Sequence, residues 1–149
     1  MNKEKLLNLI KITGLVYAIA FVITTFVFIF FTPQLMAIIN ELSQKLFPSL
    51  PLAHQQSQFY TILSVSMMAG VTVCSLLLYK NAERYSTMVI PLATMKFTSS
   101  VCGLLAFISG FVYTNNANNL ANCIIFITDF PLGVWVVYLY RLLQSYNEL

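Results

Sequence analysis

A chain of 149 residues that is 58% hydrophobic and only 9% charged cannot cover a water-facing exterior, since soluble domains carry roughly 25% charged residues. Eight basic and five acidic residues, a net charge of +3, form no basic stripe, so the electrostatic footprint of a nucleic-acid partner is missing. Long apolar runs instead predict an integral membrane protein, a single domain by length, with the lipid bilayer as its first partner.

Lys3, Lys5 and Lys11 precede an apolar run over residues 12–31. That run is longer than the 7–15 residues of a signal-peptide core and no small-x-small cleavage site follows, so it predicts an uncleaved first span. Thr32 is placed to cap a helix opening at Pro33, the position where a missing N–H costs least. Leu35, Ile38, Ile39, Leu42 and Leu46 then recur at helical spacing opposite Asn40, Glu41, Gln44 and Lys45. Residues 33–47 therefore read as an amphipathic interfacial helix on the outer surface, ending before Pro48 and serving as a lid, as a docking surface for a partner, or as a spacer that shields the top of the bundle. Residues 48–58 read as a loop holding His54, the one histidine, which alone builds no haem or metal site.

The second span is expected over 59–79, the third over 87–113 and the fourth over 120–142, joined by short links at 80–86 and at the Asn-rich 114–119. Each is long enough, at 1.5 Å per residue, for a hydrocarbon core of about 30 Å. None alternates as a membrane strand would, so helices are the spanning element. Short links between neighbours predict an all-α, up-down four-helix transmembrane bundle. With the amino terminus inside, the inner segments carry Lys3, Lys5, Lys11, Lys80, Arg84 and Arg141 and the outer ones Lys45 alone. That asymmetry puts both termini in the cytoplasm. The absence of any N-x-S/T acceptor favours a bacterial inner membrane.

Two ionisable residues fall inside spans. A charge at mid-bilayer costs about 2.5–3.5 kcal/mol, so Lys96 and Asp129 each call for a reason. Counted from the basic ends, Lys96 is about 13 Å deep and Asp129 about 16–20 Å. Since a short link makes the third and fourth spans neighbours, a Lys96–Asp129 ion pair is expected. Lys96, Ser99, Gly103, Ala106 and Gly110 share one stripe, and its small residues mark a packing face. Asn122, Asp129, Gly133, Val136 and Tyr140 form a facing stripe, and Thr13, Tyr17, Ala20 and Thr24 a third, so a thin polar seam should run through the bundle. Pro131 should free the carbonyl of Ile127 and Pro91 that of Thr87, which either bends the helices or assists ion passage. Cys74, Cys102 and Cys123 have no CxxC spacing and read as packing residues, with contact or a bridge open between the last two, which lie at similar depth. The methionines likewise read as packing, and Trp135 is deep enough to join them.

The stripes carry no catalytic constellation, and no cofactor is named by any motif, so an enzyme is not expected. The favoured reading is a non-catalytic accessory or scaffold subunit whose apolar faces dock on partner subunits of a larger membrane complex. The alternative is a small homo-oligomeric transporter or channel built on Lys96, Asp129, Asn122 and the Pro131 break.

Overall fold

The computed structural model describes residues 2–53, 58–109 and 119–147, and over these the chain is helical with no strand. Helix α1 spans Lys3–Phe30, α2 Thr32–Leu46, α3 Gln58–Lys80, α4 Val89–Ser109 and α5 Leu120–Asn147, with one 3₁₀ turn, Ser86–Met88, leading into α4. Four of them, α1, α3, α4 with its leading turn, and α5, are long and apolar enough to cross a membrane. Gly110, His54 and residues 110–118 of the third span and outer link lie outside the described residues.

Helices α1 and α5 outrun their apolar windows at the basic end, because a helix continues wherever caps and tertiary burial support it. At the start of α1 the Asn2 carboxamide accepts the Lys5 N–H at 2.9 Å, a capping bond that closes the first turn. Leu6 and Ile10, outside the expected apolar span, are buried there. At the far end of α5, Leu143 is buried and Tyr146 packs on the same cluster. Asn119 accepts the Asn122 N–H at 3.3 Å and so fastens the opening turn of α5.

Contacts fix the helix directions. Lys3 at the head of α1 pairs with Glu83, just past the end of α3, at 2.7 Å. Gly14 lies against Ser75 and Tyr79. On α4 and α5, Lys96 meets Asp129 and Gly103 meets Asn122, the same interval walked in opposite directions. Tyr17 reaches Leu132 and Thr13 reaches Trp135. Each neighbouring pair is thus antiparallel. The most extensive packing joins α1 to α3 and α4 to α5, with narrower seams between α3 and α4 and between α1 and α5.

The core occupies one half of this bundle. Leu6, Ile10, Leu78, Val89, Leu139 and Leu143 cluster at the end that gathers the lysines and arginines. Past Phe21 the two pairs part: Val22, Ile23, Phe26 and Phe30 on α1 are all more than half exposed, as is Ile62 on α3. Among the described residues, α4 and α5 stay tight there, through Gly103 and the buried Ala106. The third expected stripe ends accordingly. Ala20 is exposed and Thr24 turns its hydroxyl back to the Ala20 carbonyl, so α1 contributes to a seam only at Thr13 and Tyr17.

Helix α2 packs beside α1 and α5, with Ser43 buried. Its expected cap is corrected by the structure. Thr32 lies inside the helix and its hydroxyl donates backward to the Phe28 carbonyl of α1, while Phe31 serves as the capping residue without a side-chain bond. One residue separates α1 from α2, and the open carbonyls at the end of α1 compete successfully for the hydroxyl. Asn40 then grips the returning loop, donating to the Ala53 carbonyl at 2.9 Å and accepting its N–H at 2.8 Å.

Candidate functional site

Among the described residues, charge enters the apolar interior at one place. Lys96 on α4 is 4% exposed, and its ammonium stands 2.7 Å from Oδ1 of Asp129 on α5. The Ser99 hydroxyl, one turn along α4, contacts the other carboxylate oxygen. It also lies 3.0 Å from the Lys96 carbonyl, but a hydroxyl has a single proton, and the charged acceptor makes the stronger bond. From α1, Phe21 places its ring 3.8 Å from the ammonium, a cation–π contact that solvates the charge on a second side. The cluster is electrically neutral as a whole, and it pins three helices at one level.

Glycine makes this approach possible. A Cβ on Gly133 would stand 3.2 Å from the Phe97 ring and 3.4 Å from Cβ of Lys96, so the lysine stem runs over the glycine to reach Asp129. Seven residues further along α4, a Cβ on Gly103 would lie 2.9 Å from the Asn122 carbonyl and meet Ile125. These are close backbone contacts of the small-residue type. Of the α5 stripe, Asp129 joins the ion cluster, Val136 is buried, and Asn122 contributes its backbone.

Next to the ion pair a second polar contact joins α1 to α5. Tyr17, 5% exposed, donates its hydroxyl to the Leu132 carbonyl at 2.9 Å, one residue past Pro131, which sits within the continuous helix α5. The indole N–H of Trp135 donates to the Thr13 hydroxyl at 3.3 Å, so Trp135 is more than packing. Pro91 breaks nothing, contrary to expectation: α4 begins at Val89, and a proline in a first turn displaces no helical bond. Cys74, Cys102 and Cys123 are free thiols, so the bridge left open between the last two is not formed. Among the described residues no three His, Cys, Asp or Glu side chains converge as metal ligands.

Phe21 is the member of the cluster that sequence reasoning missed. A phenylalanine in an apolar span carries no mark of its own, and its only signal is its place one turn beyond Tyr17 on the same face. Tyr17→Phe tests the neighbouring contact alone, removing one hydroxyl and no volume. Interhelical hydrogen bonds in membranes average about 0.6 kcal/mol and reach about 1.7, so a loss of that size is expected in unfolding from detergent. No loss at all would show that the hydroxyl is equally well satisfied elsewhere.

Comparison with protein-family models, with curated proteins and with solved structures finds no match for this chain.

Proposed function

We propose that this protein is a non-catalytic accessory or scaffold subunit of a larger assembly in a bacterial inner membrane, an up-down four-helix bundle with its basic end and both termini in the cytoplasm. The observation that carries this reading is the self-cancelling ion cluster: Lys96, Asp129, Ser99 and Phe21 satisfy one another, which suits a clamp. The void at the level of Tyr17 supports it, being apolar and about 10 Å³, the least that holds one water. Opposite the clamp, the uncovered ridge of Ile19, Val22, Ile23, Phe26 and Phe30 on α1 repeats at the i, i+3, i+4, i+7 spacing of a helix-packing face, and it is the surface offered to a partner helix. Helix α2 lies along the outer interface in this reading. Ile38, Leu42 and Leu46 face outward toward lipid, and the Glu41–Lys45 pair faces water.

Purification of the tagged protein from its native membrane in mild detergent tests the proposal, with a stoichiometric membrane partner expected to co-migrate. Phe26→Ala together with Val22→Ala should release that partner while leaving the bundle folded. Recovery as a lone monomer would count against a scaffold. Orientation is checked separately in a cysteine-free background. Arg84→Cys should label only from the cytoplasmic side and Lys45→Cys only from outside, and labelling of both from one side contradicts the topology.

Transport is the second reading, favoured by one observation. The Asp129 side chain retains 16% exposure against 5% for Lys96, and it sits where the helix pairs begin to part. Proton flux into liposomes that is equal for the wild type, Lys96→Ala and Asp129→Asn would remove it.

A further inference from the structure

A groove of about 370 Å³ runs along the outer side of the α4–α5 pair, on the half of the bundle that carries the basic residues. Its α4 wall is Val89, Ala93, Thr94 and Phe97, and its α5 wall is Val137 and Tyr140. The surface is mostly apolar: Thr94 spends its hydroxyl on the Ile90 carbonyl at 2.9 Å, and the exposed Thr98 adds the other hydroxyl of the α4 wall. Arg141 follows Tyr140 and stands one helical turn beyond Val137, so it continues the α5 wall past the mouth of the groove. Its side chain is exposed, and among the described residues no carboxylate pairs with it. Tyr140 lies at the same level, where an aromatic ring with a polar tip suits the headgroup region.

We propose that this groove is a binding site for an anionic phospholipid, an acyl chain lying between α4 and α5 and the phosphate resting on Arg141. Charge complementarity selects this occupant. A partner helix would meet an unpaired arginine at the edge of its apolar face, whereas a phospholipid presents hydrocarbon and phosphate in the order that the groove and Arg141 require. Basic residues at the mouths of clefts between membrane helices commonly hold anionic headgroups. The inference rests on the membrane reading given above, and it adds a ligand to the surface of the clamp.

The test uses the full chain in mild detergent, with phosphatidylglycerol and phosphatidylcholine of identical acyl chains as probes, and retention read by native mass spectrometry. Phosphatidylglycerol should be retained about fivefold more tightly, the discrimination that one interfacial arginine supplies. Arg141→Gln should reduce its retention to the phosphatidylcholine level. Thr94→Phe, on the exposed wall, should fill the groove and weaken both lipids. Equal retention of the two lipids by the wild type overturns the site, as does a phosphatidylglycerol preference untouched by either variant. Loss of a co-purifying protein on Thr94→Phe, with lipid retention unchanged, also overturns it, in favour of a partner helix. A chain that stays dispersed without detergent would instead refute the membrane reading itself, so the two failures are told apart.

Discussion

Asp129→Leu is expected to destabilise the protein more than the removal of both charges together. The single change leaves the Lys96 ammonium, with a side chain 5% exposed, facing only the Phe21 ring. Breaking a buried pair from one side costs about 3–5 kcal/mol because it strands the other charge, a large share of the 5–15 kcal/mol that holds a typical domain together. Lys96→Met should cost less. The stranded carboxylate keeps the Ser99 hydroxyl and has 16% side-chain exposure, so part of its solvation survives. In the double variant Lys96→Met/Asp129→Leu nothing charged remains to be desolvated, and hydrophobic replacement of such pairs is often neutral or stabilising. Stability within about 1 kcal/mol of the wild type is therefore expected. Unfolding from detergent micelles, arranged as a double-mutant cycle, measures the coupling directly. If the double variant loses the sum of the two single losses, the residues are not coupled and the clamp does not exist.

The same cycle separates holding helices together from doing something else. Should the double variant fold as well as the wild type and still hold the partner subunit proposed above, the charges serve packing register alone. Should it fold well and lose a biological output, the charges matter for more than stability, and transport becomes the better reading.

How far the primary structure reveals this arrangement depends on the kind of signal each part carries. Four long apolar helices are legible because hydrocarbon demands length and apolarity from every span, and both can be counted. Lys96 and Asp129 stand out because a charge in an apolar run is costly, and the structure brings their side chains to 2.7 Å. The true ends of α1 and α5 are less legible. Leu6 and Leu143 lie in polar surroundings along the chain, and only their mutual burial at the basic end explains the extra turns. Thr32 is a local ambiguity of another kind. The same hydroxyl can cap the helix it opens or bond back to the one before, and the single-residue joint at Phe31 decides in favour of the second. The parting of the bundle beyond Phe21 has no compositional trace whatever. Ala20 and Thr24 continue the spacing of Thr13 and Tyr17 faithfully, and periodicity cannot report where a neighbouring helix stops being close.

That limit makes the tightest crossing the most informative place to intervene. Gly14→Ala is expected to destabilise the α1–α3 pair although alanine is the better helix former by about 1 kcal/mol. A Cβ at position 14 would lie 2.7 Å from the Ser75 carbonyl oxygen and 3.0 Å from the Tyr79 nitrogen. Both obstacles are backbone atoms of α3, so relief requires moving a helix, whereas a side chain would simply rotate away. Overpacking of this kind costs typically 1–3 kcal/mol, enough to outweigh the propensity gain. Gly70→Ala, on α3 itself, is the matched control. Its nearest obstacle is the Met95 sulfur at 3.7 Å, ordinary van der Waals distance on a flexible side chain, so propensity should prevail and stability should hold or rise. Two identical substitutions should therefore affect detergent unfolding unequally, with a loss at Gly14 and none at Gly70. Equal effects would mean that α1 and α3 do not approach as closely as Gly14 permits, and the crossing that sets the geometry of Tyr17 and Phe21 around the ion pair would have to be redrawn.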